Sequence, residues 1–254
     1  SNKVGGCCNE FYKSEKNPFY TSVKNENIEI IQLLLNNEKI DVNNPNIRYG
    51  YCENEGREDF REEMKEETAL STAASEENIE IIQLLLNNEK LDVNMPFKYE
   101  YCRGSNDYGE TGWNVVEITP FCIAVDQQNV EIINLLINNE NLDLNTPCKN
   151  GKEHRKDGKV TENNVGHRTA FIMAVMKENI EIVKILLDNE KVDINIPFIF
   201  GGKTEQSAFC AAVEKGNIEI IKLLLENEKL RINGPNKFEG HYYYKEKKRR
   251  RLDS

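Results

Sequence analysis

One phrase occurs five times along the chain, and this repetition constrains the fold more than any other feature. Its first copy, NIEIIQLLLNNEKIDVN, spans residues 27–43, and the others span 78–94, 129–145, 179–195 and 217–233. A second phrase begins ten residues before each copy. Because the offset is constant, the two phrases form one structural unit, and the chain is predicted to be an array of such units.

Both phrases have the pattern of a helix. The first begins with Asn, Thr or Ser, which cap helices, and proline follows at the next position in two copies. In the second phrase, Ile28, Ile31 and Leu35 form one apolar stripe, and Ile30 and Leu34 form another. A helix that is apolar on two sides must lie between neighbours, so the helix pairs are predicted to stack as a solenoid.

These residues resemble the ankyrin repeat family. The T-P-L-H-x-A phrase of that family is matched by residues 119–124, and its G-N-L-E-I-V-K-L-L-L phrase is matched best by residues 216–225. Its A-D-V-N ending is matched by Asp41-Val42-Asn43 and by three equivalents. The resemblance covers about residues 17–235. It implies an all-α fold with β-hairpin loops, built as an ankyrin-type helix-turn-helix repeat solenoid.

The chain departs from the family at the turn inside each helix pair. Only Gly216 supplies the glycine that the family has there, and the other four copies carry Glu or Gln. A residue other than glycine costs about 1 kcal/mol in the left-handed conformation. This turn is therefore expected to be built differently here.

The spacing of the copies predicts long inserts. Successive copies begin 51, 51, 50 and 38 residues apart, whereas an ankyrin unit has about 33 residues. The predicted organisation is an N-terminal tail or the end of a preceding repeat loop at 1–16, then five repeats at 17–235, then a basic tail at 236–254. The repeats begin near 17, 68, 119, 169 and 207, and long inserts lie at 46–67, 97–118 and 148–168. Alternating aromatic residues predict that the inserts form extended hairpins.

Two surfaces are candidates for partner binding, and plain solvent exposure is the alternative for both. The inserts carry aromatic residues and differ in charge, with a net of -4 at 46–67 and +3 at 148–168. The candidate aromatic anchors in or near the inserts are Tyr49, Tyr51, Tyr99, Tyr101, Tyr108, Trp113, Phe198 and Phe200. The other surface is the concave side of the first helices, where equivalent positions vary. These positions are Lys24, Ser75, Asp126, Met176 and Glu214.

Catalytic, cofactor and metal sites are not expected. The chain has three histidines, and none occupies a repeated helical position. A zinc site at Cys148, His154 and His167 is disfavoured because the spacing is irregular and a fourth ligand is not evident. The cysteines are seven, an odd number, and apart from the adjacent Cys7 and Cys8 they are widely spaced, which suits free thiols better than a disulfide framework. A bond between Cys52 and Cys102 is conceivable but disfavoured.

The C-terminus carries a basic run on an otherwise acidic chain of net charge -10. This run is a candidate nuclear-import signal or polyanion patch, with a solvated tail as the alternative. Its basic residues are Lys245, Lys247, Lys248, Arg249, Arg250 and Arg251. Elsewhere the acidity disfavours contact with nucleic acid, and no apolar run is long enough to span a membrane.

The predicted function is a non-catalytic scaffold or adaptor that binds other proteins, in the cytoplasm or in the nucleus. A first alternative is a nuclear or nucleic-acid-associated regulatory factor that uses the basic tail. A second alternative is a targeting or regulatory fragment of a larger multidomain protein.

Overall fold

Each copy of the repeated unit folds into a pair of antiparallel helices of seven to nine residues. The computed structural model describes residues 9–53, 60–105, 111–156, 159–200 and 204–232. Within these ranges the helices are α1 (Pro18–Lys24), α2 (Ile28–Leu35), α3 (Ala69–Ser75), α4 (Ile79–Leu86), α5 (Pro120–Gln127), α6 (Val130–Ile137), α7 (Ala170–Met176), α8 (Ile180–Leu187), α9 (Ala208–Lys215) and α10 (Ile218–Glu226).

The inserts between the helix pairs form one continuous antiparallel sheet. Its strands are β1 (Asn9–Glu15), β2 (Asn46–Glu53), β3 (Phe60–Glu67), β4 (Phe97–Ser105), β5 (Thr111–Ile118), β6 (Cys148–Lys156), β7 (Lys159–Arg168), β8 (Phe198–Phe200) and β9 (Thr204–Gln206). Each strand pairs with the next strand in the chain, in the order β1 to β9. The expected all-α class is therefore wrong, because the hairpins join into a second layer of structure.

The spacing of the two layers explains why separate hairpins become one sheet. Packed helices lie about 8–10 Å apart, and paired strands lie about 4.8 Å apart. The width of a two-stranded hairpin thus about equals the distance between successive helix pairs along the stack. Stacking the helix pairs brings the second strand of one hairpin beside the first strand of the next, as in the pairing of β3 with β4, where Met64 lies opposite Glu100.

The core lies between successive helix pairs. Phe19, Phe121 and Phe171 are each 1% exposed, and they belong to one apolar cluster that runs through all five repeats. Alanines on the first helices, such as Ala124 and Ala174, are also buried and let the neighbouring helix approach closely. Burial depends on stacking, so no single repeat would hold its own core.

The turn inside each helix pair is left-handed whether or not it contains glycine. Glu26, Glu77, Gln128 and Glu178 have φ between 53° and 60°, close to the 73° of Gly216. The expectation that this turn is built differently is therefore wrong. Three of these side chains are hydrogen-bonded to the next repeat, for example Gln128, which accepts from Asn179 Nδ2 at 2.9 Å.

Replacing Glu26 with glycine is expected to raise the free energy of unfolding by about 0.5 kcal/mol. The change removes the left-handed strain but increases the freedom of the unfolded chain. Within the described residues the Glu26 side chain makes no hydrogen bond that would be lost. Gln128→Gly is the matched control, because it also removes the bond from Asn179 and should give no gain. Urea unfolding measures both, and a loss of stability in Glu26→Gly would contradict the strain argument.

The asparagine that ends each Asp-x-Asn phrase joins neighbouring repeats. Asn94 donates from Nδ2 to the carbonyl of Asn141 and accepts at Oδ1 from the amide of Asp143, both at 2.8 Å. The same pair of bonds is made by Asn43, Asn145 and Asn195. This side chain therefore acts as a clamp between successive turns.

Asn94→Ala is expected to cost about 1 kcal/mol, because two backbone groups lose their partner and turn to water instead. Asn141→Ala is the control, since only the backbone carbonyl of that residue takes part in the clamp. The free energy of unfolding of both variants, measured in urea, tests this. Equal stability of the two would show that the clamp contributes nothing.

One pair of cysteines differs from the expectation of free thiols. Cys122 on α5 and Cys148 at the start of β6 are joined as a disulfide, with Cα atoms 7.0 Å apart. Cys102 is free and buried, and Cys210 is free. The pairing arises because the first residue of β6 packs directly on α5, a contact that the separation of 26 residues hides.

Candidate interaction surfaces

The sheet has one face toward the first helices and one face away from them. We call these the inner face and the outer face. Phe97 pairs with Ile118, and Cys148 pairs with Arg168, at the helix-proximal end of the strands. Because Cys148 is bonded to Cys122 on α5, the face of the sheet that carries Cys148 is the inner face. A groove therefore runs between the inner face and the first helices of the repeats.

One part of the groove lies beside α5 and α7. A cavity of about 500 Å³ opens there between the two helices and strands β5 to β7. Met173, Met176 and Lys177 line it from α7, and Asp126 lines it from α5. Lys177 Nζ lies 3.0 Å from Asp126 Oδ1, so a salt bridge crosses the helix side of this cavity.

A second part of the groove lies beside α1 and α3. This cavity is about 290 Å³ and is lined by Lys24 and Ser75 from the helices and by Lys65 and Phe97 from the sheet. Lys24 forms a salt bridge with Glu76. The predicted concave residues Lys24, Ser75, Asp126 and Met176 thus line the groove, and Glu214 is exposed on α9.

Glu67 is the most buried charged residue of the groove. Lys65 Nζ lies 2.6 Å from it and Arg48 Nη2 lies 2.5 Å from it. Burial acts to raise the pKa of Glu67, but hydrogen bonds from Lys65 and Tyr20 and the charges of Lys65 and Arg48 outweigh it. The pKa of Glu67 is therefore lower than usual.

A depressed carboxyl pKa stabilises the fold above the pKa of the unfolded chain, and that contribution is lost as the pH falls through the folded pKa. Glu67→Gln should therefore be less stable than the wild type at pH 7, and the difference should shrink on acidification below about pH 4.5. Glu38→Gln, on an exposed turn, is the control. Urea unfolding between pH 3 and 7 measures the effect, and a constant difference across that range would contradict it.

The candidate aromatic residues divide between the two faces. Tyr99 and Tyr101 are partly exposed on the inner face, with ring centroids 5.3 Å apart. Tyr49 and Trp113 lie on the outer face, where Tyr49 is 41% exposed. Phe198 is 3% exposed and belongs to the core, so its ring is not available to a partner. Tyr108 and the side chains of Tyr51 and Phe200 lie outside the described residues.

Comparison with known families identifies the family of the repeats. The family model described as "Ankyrin repeats (3 copies)" matches residues 4–96 and 121–236, which is most of the chain. The chain belongs to the ankyrin repeat family. Ankyrin repeats are in general protein-binding modules without enzymatic activity of their own. A comparison with curated proteins finds no match.

The charges of this ankyrin array pair across neighbouring hairpins. Glu66 bonds Lys98 at 3.2 Å, and Glu117 bonds Lys149 at 2.6 Å. In each pair the two residues lie directly opposite one another on adjacent strands. The contrast in charge between the inserts therefore contributes to pairing within the sheet, in addition to its predicted role in binding a partner.

Arg155 lies on the outer face and was not predicted as a binding residue. It bonds Glu100 at 2.9 Å and Glu153 at 2.8 Å, and its guanidinium carbon lies 4.8 Å from the centre of the Trp113 ring. These groups border a cavity of about 440 Å³ with Tyr49. Two sequence signals pointed toward it, the tryptophan and the basic third insert, but neither showed that they meet.

The disfavoured metal set is not assembled by the ankyrin array. Cys148 and His154 lie six residues apart on β6, which is about 20 Å along a strand. No cluster of three metal-ligating side chains occurs within the described ranges. Among the helices described, none is long and apolar enough to cross a bilayer. The basic run Lys245–Arg251 lies outside the described residues.

Proposed function

We propose that this ankyrin array is a non-catalytic scaffold that binds an extended segment of another protein in the groove between the first helices and the inner face. The observation that carries the proposal is the cavity of about 500 Å³ beside α5 and α7. It is formed at positions that differ from repeat to repeat, while the buried positions beside them are nearly the same in all five repeats.

The chemistry of this cavity suits an apolar anchor with polar flanks. Met173 and Met176 offer flexible, polarisable side chains that adapt to a partner. Lys177 and Arg168 add positive charge at the rim, and Asp126 adds negative charge. A partner segment with one large apolar residue next to an acidic one would match this arrangement.

The inner-face aromatics extend the proposed surface toward the tips of the hairpins. Tyr99 and Tyr101 combine apolar rings with hydroxyl groups, and the Tyr99 hydroxyl already donates to Glu63 at 3.4 Å. We assign Tyr49 and Trp113 a secondary role, because the outer face is turned away from the groove. Such rigid amphipathic rings are frequent energetic centres of protein interfaces.

The test is affinity capture from a cell extract with three forms of the chain, followed by quantitative mass spectrometry. The groove variant carries Met173→Glu and Met176→Glu, which places two charges in the cavity. The control carries Asn134→Glu, on the exposed side of α6. Proteins that bind the wild type and the control, but are reduced about tenfold or more with the groove variant, support the proposal. Equal capture by all three forms would reject the groove.

The basic tail remains a separate prediction. A nuclear or nucleic-acid-associated role would use residues 245–251, and a role as part of a larger regulatory protein would depend on sequence outside this chain. Deleting residues 245–254 should shift the chain from nucleus to cytoplasm if the import interpretation is correct. An unchanged distribution of the fluorescently tagged chain would count against it.

A further inference from the structure

The cavity on the outer face of the sheet is separate from the groove and has its own chemistry. Its volume of about 440 Å³ lies in the range of sites that hold a small ligand. Tyr49 of β2, Met64 of β3 and Trp113 of β5 line it. Each strand from β2 to β6 is paired on both sides, so the cavity lies inside the sheet and not at its edge. We call it the outer cavity.

The register of the strands brings the lining residues of the outer cavity to one face. Met64 lies opposite Glu100 in one row, and Cys102 lies opposite Glu62 and Trp113 in the next row. Residues directly opposite one another share a face, as do residues two positions apart on a strand. Cys102 is fully buried although it lies on this face. The surrounding side chains therefore shield the floor of the cavity from water, which strengthens electrostatic interactions there.

The outer cavity carries more negative than positive charge. Glu62 and Glu100 line it together with Arg155, and Glu153 lies beside them, bonded to Arg155 at 2.8 Å. Three carboxylates against one guanidinium leave a formal net charge of about -2. Arg155 is shared between Glu100 and Glu153, whereas Glu62 forms no salt bridge with any residue that the structure describes. A cation in the cavity would therefore meet a carboxylate that is not already neutralised.

The chain itself shows which kind of cation this face accommodates. The guanidinium of Arg155 lies over the Trp113 ring and bonds Glu100 at 2.9 Å. A planar guanidinium can stack on an aromatic ring and pair with a carboxylate at the same time, which a compact ammonium group does less well. On the other side of the cavity, Tyr49 and Glu62 are diagonal neighbours on paired strands, within reach of one another. They offer a second combination of ring and carboxylate.

We propose that the outer cavity binds an arginine side chain of a partner protein. The stem of that side chain lies against Met64, and its guanidinium lies between Tyr49 and Glu62. The first insert, with a net charge of -4 at 46–67, attracts a basic segment toward this side of the sheet. The site lies on the face opposite the groove, so the proposal is independent of what the groove binds.

The fluorescence of the full chain tests the proposal, because Trp113 is the single tryptophan and lines the cavity. The probe is a capped tripeptide with arginine between two alanines. The control probe carries citrulline instead, which has nearly the same shape without the charge. The arginine peptide should give a saturable change in fluorescence with a dissociation constant of about 1 mM. The citrulline peptide should bind about tenfold more weakly or less.

Substitutions in the cavity give a second measurement. Glu62→Gln removes the carboxylate at nearly constant shape and should raise the dissociation constant about five- to tenfold. Glu38→Gln, on an exposed turn, removes the same charge elsewhere and should bind like the wild type. Tyr49→Ala should raise the dissociation constant about two- to fivefold, and Tyr49→Phe, which keeps the ring, should recover most of the affinity. Circular dichroism should show all four variants folded.

Three outcomes would overturn the proposal. One is an arginine peptide that causes no saturable change up to about 20 mM. Another is a citrulline peptide that binds as tightly as the arginine peptide, which would indicate contact without charge recognition. The third is a Glu62→Gln variant that binds no differently from Glu38→Gln. None of them bears on groove binding, which Met173→Glu and Met176→Glu test separately by affinity capture.

Discussion

Replacing Ile133 with alanine is expected to lower the free energy of unfolding by about 2–5 kcal/mol. Ile133 lies on α6 in the middle repeat and is fully buried. Truncation removes apolar contacts and leaves a cavity. The cavity persists because the repeats packed on both sides of this helix can move only a little into the empty space. Urea unfolding, followed by circular dichroism, measures the loss.

The matched control is Ile218→Ala on α10. The same residue type is truncated in the same kind of helix, but Ile218 is 67% exposed. Its removal should change stability by about 0.5 kcal/mol or less. Similar losses for the two variants would show that the stacked core is not the source of stability. Hydrogen exchange should further show that Ile133→Ala weakens α4 and α8 along with α6, since solenoid repeats are stabilised by their neighbours.

Gly151→Ala is expected to destabilise the protein by about 1–3 kcal/mol and to loosen the pairing of β6 with β7. A Cβ atom at residue 151 would lie 2.5 Å from the carbonyl oxygen of Asn164 and 2.6 Å from Cα of Val165. Both are backbone atoms of the adjacent strand, so the clash cannot be relieved by turning a side chain. The strands must move apart instead.

Gly112→Ala on β5 is the control for this prediction. The nearest atom to a Cβ there is His154 Cε1 at 3.9 Å, an ordinary contact. With room available, this substitution should be neutral or stabilising by up to about 1 kcal/mol. Urea unfolding compares the two, and hydrogen exchange at β6 and β7 amides locates the change. If Gly151→Ala matched Gly112→Ala in both measurements, the close approach of the two strands would be disproved.

Ile133 and Gly151 lie in the two different layers that together form the groove. The helix layer supplies Met173 and Met176, and the sheet layer supplies Tyr99 and Tyr101. Ile133→Ala weakens the packing of the helix layer, and Gly151→Ala weakens the pairing of strands in the sheet layer. Each variant should reduce partner binding only as far as it loosens the groove, whereas Met173→Glu and Met176→Glu alter the groove itself and remove only the partly buried contacts that these two side chains make with the core. Comparing the loss of stability with the loss of binding for each variant therefore separates binding lost through a loosened fold from binding lost through a changed groove surface.

Some of the candidate surface could be predicted from the sequence. The positions of Lys24, Ser75, Asp126 and Met176 followed from one periodic pattern, because a helix presents residues at fixed intervals to the same side. The burial of Phe198 did not follow, since an alternating strand pattern says which residues share a face but not which face is covered. Arg155 was missed for a related reason. Its partners Trp113 and Glu100 come from another insert, and the sequence contains no signal for their contact.

Local periodicity by itself determined the helix pairs, their caps, the stacking of five units and membership of the ankyrin repeat family, since these depend on residues a few positions apart. Only the tertiary structure decided that the inserts merge into one sheet, that Cys122 meets Cys148, and that Glu26 and its equivalents adopt the left-handed turn. The sheet and the cysteine pair form because stacking of the repeats brings together segments that are distant in the sequence. The left-handed turn persists because contacts with the neighbouring repeat hold its backbone angle in place. Their energies come from contacts between repeats, and a pattern read along one repeat does not contain them.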